Sequence, residues 1–207
     1  MDHRRPKIIT LSMEELKDIS ICAAKEIAER KPVDLVVYIA RAGFPLAYYM
    51  NAVFQCRLLG VKAVRKGNRV KSIVGKLLSY TPAFFKDFLR NLELRLGVHK
   101  KYSHRCVEFH ASLQEIDRSL HYSILVVDDS VDTGSSMKQV TAKIAETFPD
   151  AEITTYALNV FKESREQIAV DGFAFQDAII RTPMSKDSVE YKAFCAMYRR
   201  ETRNEYL

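Results

Sequence analysis

The sequence is poor in the residues that build disulfide frameworks and metal sites. Tryptophan is absent from its 207 residues, and there are only seven glycines and six prolines. The chain has four cysteines, Cys22, Cys56, Cys106 and Cys195. The cysteines are scattered without a Cys-x-x-Cys pair, which favours reduced thiols over disulfides. No two histidines lie at positions i and i+4, the spacing that places two zinc ligands on one face of a helix. We therefore expect free thiols and no zinc site.

Long apolar runs are also missing. The first ten residues carry several charges and lead into no apolar stretch, so we expect no signal peptide, no membrane span and a cytoplasmic location. Hydrophobic residues make up 47% of the chain and charged residues 28%, as in ordinary soluble domains. The formal net charge of +6 is mild and favours anionic partners such as phosphates or nucleic acid without choosing between them.

Several nucleotide-binding and DNA-binding motifs are absent. The sequence has no Gly-x-x-x-x-Gly-Lys and no Gly-x-Gly-x-x-Gly after a strand, which excludes the phosphate loop of ATPases and the usual dinucleotide fingerprint. It has no recognisable helix-turn-helix segment and only short basic clusters, so nucleic acid is not the expected partner. The length suits a single domain over residues 1–207, and no internal repeat or linker divides it.

The pattern of apolar residues predicts an α/β protein with a mainly parallel sheet flanked by helices. Ser12 and Glu15 form a capping-box pattern that opens a helix over 12–30. A second helix is predicted from Pro45 towards Leu59, with Gly60 ending it. Further strands are predicted over 33–39, 61–65, 105–109, 123–129, 152–161 and 173–181. Further helices are predicted over 136–148 and over 185–198, where Ser185 is the predicted cap.

Residues 66–104 are predicted to form an insertion between two strands. It begins with a basic, turn-prone segment over 66–72 and contains a predicted helix over 81–96. One side of that helix carries Phe85, Phe88, Leu89, Leu92 and Leu96. Such an apolar face needs a cover, which is either the chain's own core or a second copy. We expect a homodimer through this helix, with the basic segment left as a mobile lid.

The most informative stretch is "ILVVDDSVDTGSS", residues 124–136. An apolar strand runs into Asp128 and Asp129, and residues 132–136 form the turn into a helix. Ligands of open parallel sheets bind at the carboxyl ends of strands. A helix N-terminus offers backbone N–H groups to a phosphate, and Gly134 allows a close approach. Acids at this place can accept hydrogen bonds from sugar hydroxyls or organise a divalent cation, so the pattern suits a sugar phosphate.

Two known families resemble this stretch. "ILVVDDS" looks like the first strand of a response-regulator receiver domain, with Asp177 at a plausible distance for the phosphoacceptor. However, only thirty residues follow Asp177, which are too few for the remaining strands and helices of that fold. The better resemblance is to the type I phosphoribosyltransferases. Their signature is an apolar strand, two acids, two variable residues, Asp or Thr, Thr or Ser, Gly, any residue, and Thr or Ser. Residues 124–136 match it throughout.

This resemblance implies roles for the residues of the motif. Asp128 and Asp129 would hold the ribose hydroxyls of phosphoribosyl pyrophosphate (PRPP) and bind Mg²⁺ indirectly through it. The 5′-phosphate would be cradled by Asp132, Thr133, Gly134, Ser135 and Ser136. Asp132 would also be the catalytic residue that accepts a proton from the incoming acceptor.

Two basic segments resemble the pyrophosphate-binding parts of the family. Arg41, Ala42 and Gly43 follow the first buried strand, where relatives have a pyrophosphate loop. Arg65 and Lys66 follow the second strand, where relatives often carry basic residues beside the pyrophosphate. A solvated basic loop is the alternative explanation for Arg65 and Lys66.

Residues after the motif bear on the acceptor. Lys162 occupies the place where hypoxanthine-type members read the exocyclic oxygen of a 6-oxopurine, although a lone lysine there is more often solvated. Phe173 and Phe175 either stack on a base or, more simply, alternate along a buried strand.

The reaction implied by the resemblance is Mg²⁺-dependent transfer of a 5-phosphoribosyl group from PRPP to a nitrogen acceptor, with release of pyrophosphate. A purine-type nucleobase is the expected acceptor. Two alternatives stay open. One is a non-catalytic protein of the same fold that senses PRPP or nucleotides and regulates transcription. The other is a transferase whose acceptor is not a nucleobase, which the unusual insertion makes plausible.

Overall fold

The computed structural model describes residues 8–65, 105–109, 116–118 and 120–202. Its helices are α1 Met13–Ala28, α2 Phe44–Phe54, α3 Ser135–Thr147 and α4 Tyr191–Thr202. Its strands are β1 Ile8–Thr10, β2 Leu35–Ile39, β3 Arg57–Arg65, β4 Arg105–Phe109, β5 Ser123–Val131, β6 Glu152–Val160, β7 Gly172–Gln176 and β8 Ile179–Arg181. A 3₁₀ helix spans Lys162–Glu166.

The main sheet confirms the predicted α/β class. It has the strand order β4-β3-β2-β5-β6-β7, and a separate pair joins β1 to β8. The pairings β2–β3, β2–β5, β5–β6 and β6–β7 are all parallel. Val36 and Tyr38 of β2 belong to one buried cluster, while Val37 and Ile39 belong to the cluster on the other face. This burial on both faces explains the unbroken apolar run of β2.

The start of α1 agrees with its sequence signal. The Ser12 hydroxyl accepts a hydrogen bond from the Glu15 N–H at 3.2 Å, and the Glu15 carboxylate accepts one from the Ser12 N–H at 2.8 Å. Leu16, Ser20 and Ala24, spaced at four residues, are the buried side chains of this helix. The capping box and the apolar stripe therefore place α1 as predicted.

The predicted end of the second helix is wrong. α2 ends at Phe54, where Gln55 adopts a left-handed φ of 52° and its N–H donates to the Asn51 carbonyl at 2.8 Å. The Asn51 side chain then accepts from the Cys56 N–H at 3.1 Å and donates to the Cys56 carbonyl at 2.8 Å. Gly60 lies inside β3 and pairs with Tyr38. A polar side chain closes this helix, so no glycine is needed at its end.

The predicted strand over 173–181 is two strands in different sheets. Asp177, with a φ of 51°, separates β7 from β8. The buried Asn159 side chain donates to the Ala178 carbonyl at 2.8 Å and so fixes the chain after the break. The last helix begins at Tyr191 rather than at Ser185, since the Ser185 N–H donates to the Thr182 carbonyl in a preceding turn.

The chain divides into one unit of residues 1–63 and 107–207 and a second unit of residues 64–106. The basic segment over 66–72, the helix over 81–96 and the homodimer contact predicted for it lie outside the described residues. Among the helices that are described, none is both long enough and apolar enough to cross a membrane.

Candidate active site

The two adjacent acids of the motif lie inside β5 rather than at its end. The sequence predicts that the strand stops at Asp129, but the ladder continues, since Ser130 pairs with Asn159 and Val131 with Val160 of β6. This extension holds the backbone of both acids in the sheet. The Asp128 side chain is only 6% exposed, whereas Asp129 is half-buried.

Burial dominates the electrostatics of this acidic pair. It raises the pKa of Asp128 well above its ordinary value, and the neighbouring Asp129 carboxylate raises it further. Burial also raises the pKa of Asp129. The Asp129 N–H donates to the Asp128 carboxylate at 2.9 Å, and no basic side chain of the described residues forms an ion pair with either acid. Two such carboxyls are costly unless a bound partner supplies donors or positive charge.

The turn after β5 leaves the N-terminus of α3 open. Gly134 occupies the N-cap position with a φ of 72°, no side chain of the described residues caps the helix, and its first turn contains no acid. A Cβ on Gly134 would lie 2.6 Å from Cγ2 of Ile168. The left-handed backbone therefore favours glycine, and the Ile168 side chain would have to move for any larger residue. The exposed Asp132 accepts a hydrogen bond from the Ser130 hydroxyl at 2.6 Å.

The hydroxyl residues of the turn surround this open helix end. Thr133 is exposed, while Ser135 and Ser136 are half-buried in the first turn of α3. The Ser135 hydroxyl accepts a hydrogen bond from the Gln139 side chain at 3.2 Å. The arrangement suits an anion, because backbone amides, hydroxyls and the positive end of the helix dipole occur together.

The loop over 41–43 lies directly against the acidic pair. A Cβ on Gly43 would lie 2.8 Å from the Val127 carbonyl oxygen and 3.2 Å from Cα of Asp128. Gly43 also serves as the N-cap of α2, which has no capping side chain among the described residues and no acid in its first turn. The structure therefore brings the predicted pyrophosphate loop and the predicted ribose-binding acids together.

The Arg41 side chain contacts α4, which the sequence did not predict. Its guanidinium nitrogen lies 3.9 Å from the Cys195 sulfur, and its Cζ lies 5.5 Å from the centre of the Tyr198 ring. Tyr198 is fully buried. Cys195 and Tyr198 follow Arg41 by more than 150 residues, and no local pattern of the sequence signals either contact.

Lys162 lies beside the acidic turn. The Phe161 N–H donates to the Val131 carbonyl at 3.1 Å, which joins the end of β6 to the end of β5. The Lys162 N–H donates to the Asp177 carboxylate at 2.7 Å, and the Lys162 side chain is exposed. Asp177 thus fixes the backbone beside the turn, a role that sequence reasoning missed.

The remaining predicted residues are placed as follows. Arg65 ends β3, but its side chain and all of Lys66 lie outside the described residues. Phe175 packs against the core, whereas Phe173 is 38% exposed with the Arg165 guanidinium 5.0 Å from its ring centre. The expectation that both phenylalanines fill a buried strand is therefore wrong for Phe173, which lies in the first half of the edge strand β7.

The chain resembles known proteins both in sequence, through a family model, and in fold, through solved structures. A family model described as phosphoribosyl transferase domain matches residues 8–169. No curated protein sequence matches the chain significantly. A solved purine phosphoribosyltransferase from Pyrococcus horikoshii is 16% identical, with a TM-score of 0.58 over 88% of this chain and 96% of that chain. A xanthine-guanine-hypoxanthine phosphoribosyltransferase from Helicobacter pylori is 18% identical, with a TM-score of 0.60 over 90% and 99%.

A third solved structure, a Neisseria gonorrhoeae protein with bound ppGpp, is 12% identical, with a TM-score of 0.55 over 96% of this chain and 99% of that chain. At these identities, the three structures show a common fold. Their coverage indicates that the likeness extends over most of both chains.

Proposed function

The chain belongs to the phosphoribosyl transferase domain family, and from this premise we propose that it transfers a 5-phosphoribosyl group from PRPP to a nitrogen acceptor. The observation that carries the proposal is the pair formed by buried Asp128 and half-buried Asp129 beside the open N-terminus of α3. Carboxylates that accept from two ribose hydroxyls and a helix end that receives a phosphate are the two features that a sugar phosphate needs.

The proposed binding mode assigns each part of PRPP to one element. Asp128 and Asp129 accept hydrogen bonds from the ribose hydroxyls, the turn over 132–136 receives the 5′-phosphate, and the loop over 41–43 receives the pyrophosphate. These contacts hold C1 of the ribose between the leaving pyrophosphate and the incoming nitrogen. Positioning and charge stabilisation then supply most of the catalysis.

In the reaction, the bond from C1 to the pyrophosphate oxygen breaks and a bond from C1 to the acceptor nitrogen forms. The acceptor loses a proton, which Asp132 accepts as the catalytic base. Asp132 is exposed at the turn, so an entering acceptor reaches it. Its hydrogen bond with the Ser130 hydroxyl orients the carboxylate.

The acidic pair also fits a magnesium ion held through the substrate. Asp128 and Asp129 are neighbouring carboxyls without a cationic partner among the described residues, which favours a bound cation, and oxygen atoms are the ligands that Mg²⁺ prefers. The described residues contain no cluster of three or more metal-binding side chains. Asp128 and Asp129 would therefore hold the ion together with PRPP oxygens, where it supplies positive charge that neutralises the leaving group.

The experiment that tests the function is a screen of nucleobases with PRPP and Mg²⁺, read by pyrophosphate release. Release with a purine supports the proposal, and the Asp128→Asn, Asp129→Asn double variant should abolish it. PRPP binding without release for any nucleobase would instead favour a sensor or a different acceptor. A salt-dependent nucleic-acid complex that PRPP dissociates would identify a regulator.

The proposed acceptor is a 6-oxopurine read by Lys162. The place of this lysine beside the acidic turn supports the assignment. Lys162→Ala should raise the KM for hypoxanthine or guanine by about tenfold, as expected for a lost charged hydrogen bond, with little change in the KM for PRPP. Lys143→Ala, at a half-buried lysine on α3 that pairs with Glu146, is the matched control. Equal KM changes for both substrates would contradict the role.

A homodimer through the predicted helix over 81–96 is also part of the proposal, and it rests on the sequence because this helix lies outside the described residues. Phe88→Glu with Leu92→Glu should give a folded monomer by light scattering. Unfolding would assign the helix to the core, and a persistent dimer would place the contact elsewhere.

A further inference from the structure

A cavity of about 640 Å³ lies between α1 and the first halves of β6 and β7. Cys22, Ala23 and Glu26 line it from the helix, and Thr154, Tyr156 and Gly172 line it from the strands. The acidic pair lies in the second half of β5, towards the carboxyl end of the same sheet, so this cavity is separate from the proposed PRPP site. Its size is in the range of small-molecule sites.

Two buried hydroxyls that line this cavity have no hydrogen-bond partner among the residues that the structure describes. Tyr156 is 5% exposed and Thr154 is 7% exposed, and within the described part of the chain neither hydroxyl makes a hydrogen bond. The neighbouring Thr155, by contrast, donates its hydroxyl to the Asp171 carboxylate at 2.7 Å. Leaving a buried hydroxyl unpaired costs stability. The unpaired hydroxyls therefore point to a ligand that pairs with them.

Small residues create the space. A Cβ on Gly172 would lie 3.0 Å from Cδ2 of Tyr156, so the tyrosine ring rests against a position where any other residue would crowd it. Ala23 on the helix and Ala174 on β7 are the other small side chains of the lining. Their small side chains leave space between α1 and β7 beside the two hydroxyls.

The charge nearest the buried hydroxyls is negative. Burial raises the pKa of Tyr156 to about 12, with Glu26 and then Cys22 as further causes. The Cys22 thiol donates to the Glu26 carboxylate at 3.8 Å, and no basic side chain of the described residues pairs with Glu26. Lys31 on the rim is already paired with Glu152 at 2.9 Å. Arg30, also on the rim, is exposed.

We propose that this cavity binds a small organic cation, an ammonium group carried on an apolar ring or chain. The ammonium pairs with Glu26 and donates hydrogen bonds to the hydroxyls of Tyr156 and Thr154. The apolar body of the ligand packs against Ile19, Ala23 and the Tyr156 ring. The proposal goes beyond phosphoribosyl transfer, and its test uses binding alone, so either proposal can fail without the other.

The test compares three probes of one shape on the full chain by ligand-observed NMR titration: phenethylamine, 2-phenylethanol and phenylacetate. They carry a cation, a neutral hydroxyl and an anion on the same ring. Phenethylamine should bind at least about fivefold more tightly than the other two, the upper end of what a partly exposed ion pair contributes. Equal or tighter binding of phenylacetate or 2-phenylethanol overturns the proposal, and so does no binding by any probe.

Variants then locate the site. Glu26→Gln should remove the preference for phenethylamine, whereas Glu29→Gln, an exposed acid that caps the end of the same helix, should retain it. Ala174→Phe should abolish binding of phenethylamine by filling the cavity. Wild-type affinity in Glu26→Gln, or in an Ala174→Phe protein that is folded by circular dichroism, overturns the proposal.

Tyr156→Phe separates a ligand-binding hydroxyl from a structural one. Because this hydroxyl has no partner within the described residues, its removal should leave the Tm unchanged or raise it while weakening phenethylamine binding. A lowered Tm with unchanged phenethylamine affinity would assign the hydroxyl to the fold and overturn its role in the site.

Discussion

The N-termini of α1 and α3 are built in opposite ways. α1 begins with the Ser12 capping box, has Glu14 and Glu15 in its first turn, and receives the Glu190 carboxylate on its Met13 N–H at 2.9 Å. α3 begins at Gly134 with no acid in its first turn and no side-chain cap from the described residues. The chain's own carboxylates neutralise the first helix end and leave the second one positive.

This difference separates a structural helix end from one suited to a ligand. α2 shares the open construction of α3, since Gly43 is its N-cap and its first turn has no acid. α2 and α3 follow β2 and β5, which are parallel neighbours in the sheet, so their two open N-termini lie at the same edge of it, where the strands have their carboxyl ends. The two neighbouring helix N-termini can each bind an anion. PRPP carries a phosphate and a pyrophosphate at opposite ends of one ribose, so this arrangement supports the proposed PRPP site.

The largest expected effect tests the acids between these two helix ends. Asp128→Asn with Asp129→Asn should lower PRPP affinity by at least about a hundredfold, because two charged hydrogen-bond acceptors are lost. Isothermal titration calorimetry measures the change, and circular dichroism should show a folded protein. Ser12→Ala, at the capped helix, should bind PRPP as the wild type does. Unchanged affinity in the double variant would remove the site assignment.

The two N-cap glycines should differ in their cost. Gly43 has an ordinary φ of −69°, so Gly43→Ala tests only the close approach to the Val127 carbonyl, and crowding against that buried backbone should cost about 2–3 kcal/mol of unfolding free energy. Gly134→Ala forces a left-handed φ and should cost about 1–2 kcal/mol, since the Ile168 side chain can move. Urea unfolding gives both values. A larger loss of unfolding free energy for Gly134→Ala than for Gly43→Ala would show that the loop over 41–43 packs loosely on β5.

The acidic pair should make stability fall as the pH rises. The folded-state pKa of Asp128 is raised above its unfolded value, so its contribution is fully present below an ordinary aspartate pKa of about 3.9 and is lost as the pH rises through the folded pKa. Asp128→Asn should therefore be more stable than the wild type near pH 8, and this difference in unfolding free energy should disappear near pH 3. Urea unfolding between pH 3 and pH 8 measures this difference in unfolding free energy, and Asp150→Asn, at an exposed acid, is the control. A pH-independent difference would contradict the buried-charge argument.

The smallest effects are expected for variants that remove the cap from α1 or add an acid to the first turn of α3. Ser12→Ala should destabilise the protein by about 1 kcal/mol through the lost cap. Ser136→Asp places an acid in the first turn of α3, which should hardly change the Tm but weaken PRPP binding through charge repulsion. Thermal unfolding and calorimetry on both variants measure the contrast. Weakened PRPP binding in Ser12→Ala, or wild-type binding in Ser136→Asp, would show that the two helix ends do not differ in the proposed way.

Features that depend on neighbouring residues were predictable. The family motif over 124–136, the capping box at Ser12 and the buried strands all follow from short-range spacing and apolar pattern. The loop over 41–43 was predicted from its resemblance to the pyrophosphate loop of the family, and its place beside the acids agrees with the rule that parallel strands bring their carboxyl ends to one edge of the sheet. The roles assigned to these site residues stay predictions, since they depend on a bound substrate.

The sequence by itself determined the family, the α/β class and the acidic turn, because each depends on residues a few positions apart. Tertiary structure decided the rest. Gln55 ends α2 through a local clamp that includes Asn51, whereas Gly60 lies inside β3 and pairs with Tyr38 of the neighbouring strand. The contact of Arg41 with Tyr198 joins distant parts of the chain, and so does the cavity beneath α1. No local pattern encodes such contacts, since they form only when the packed sheet brings remote segments together.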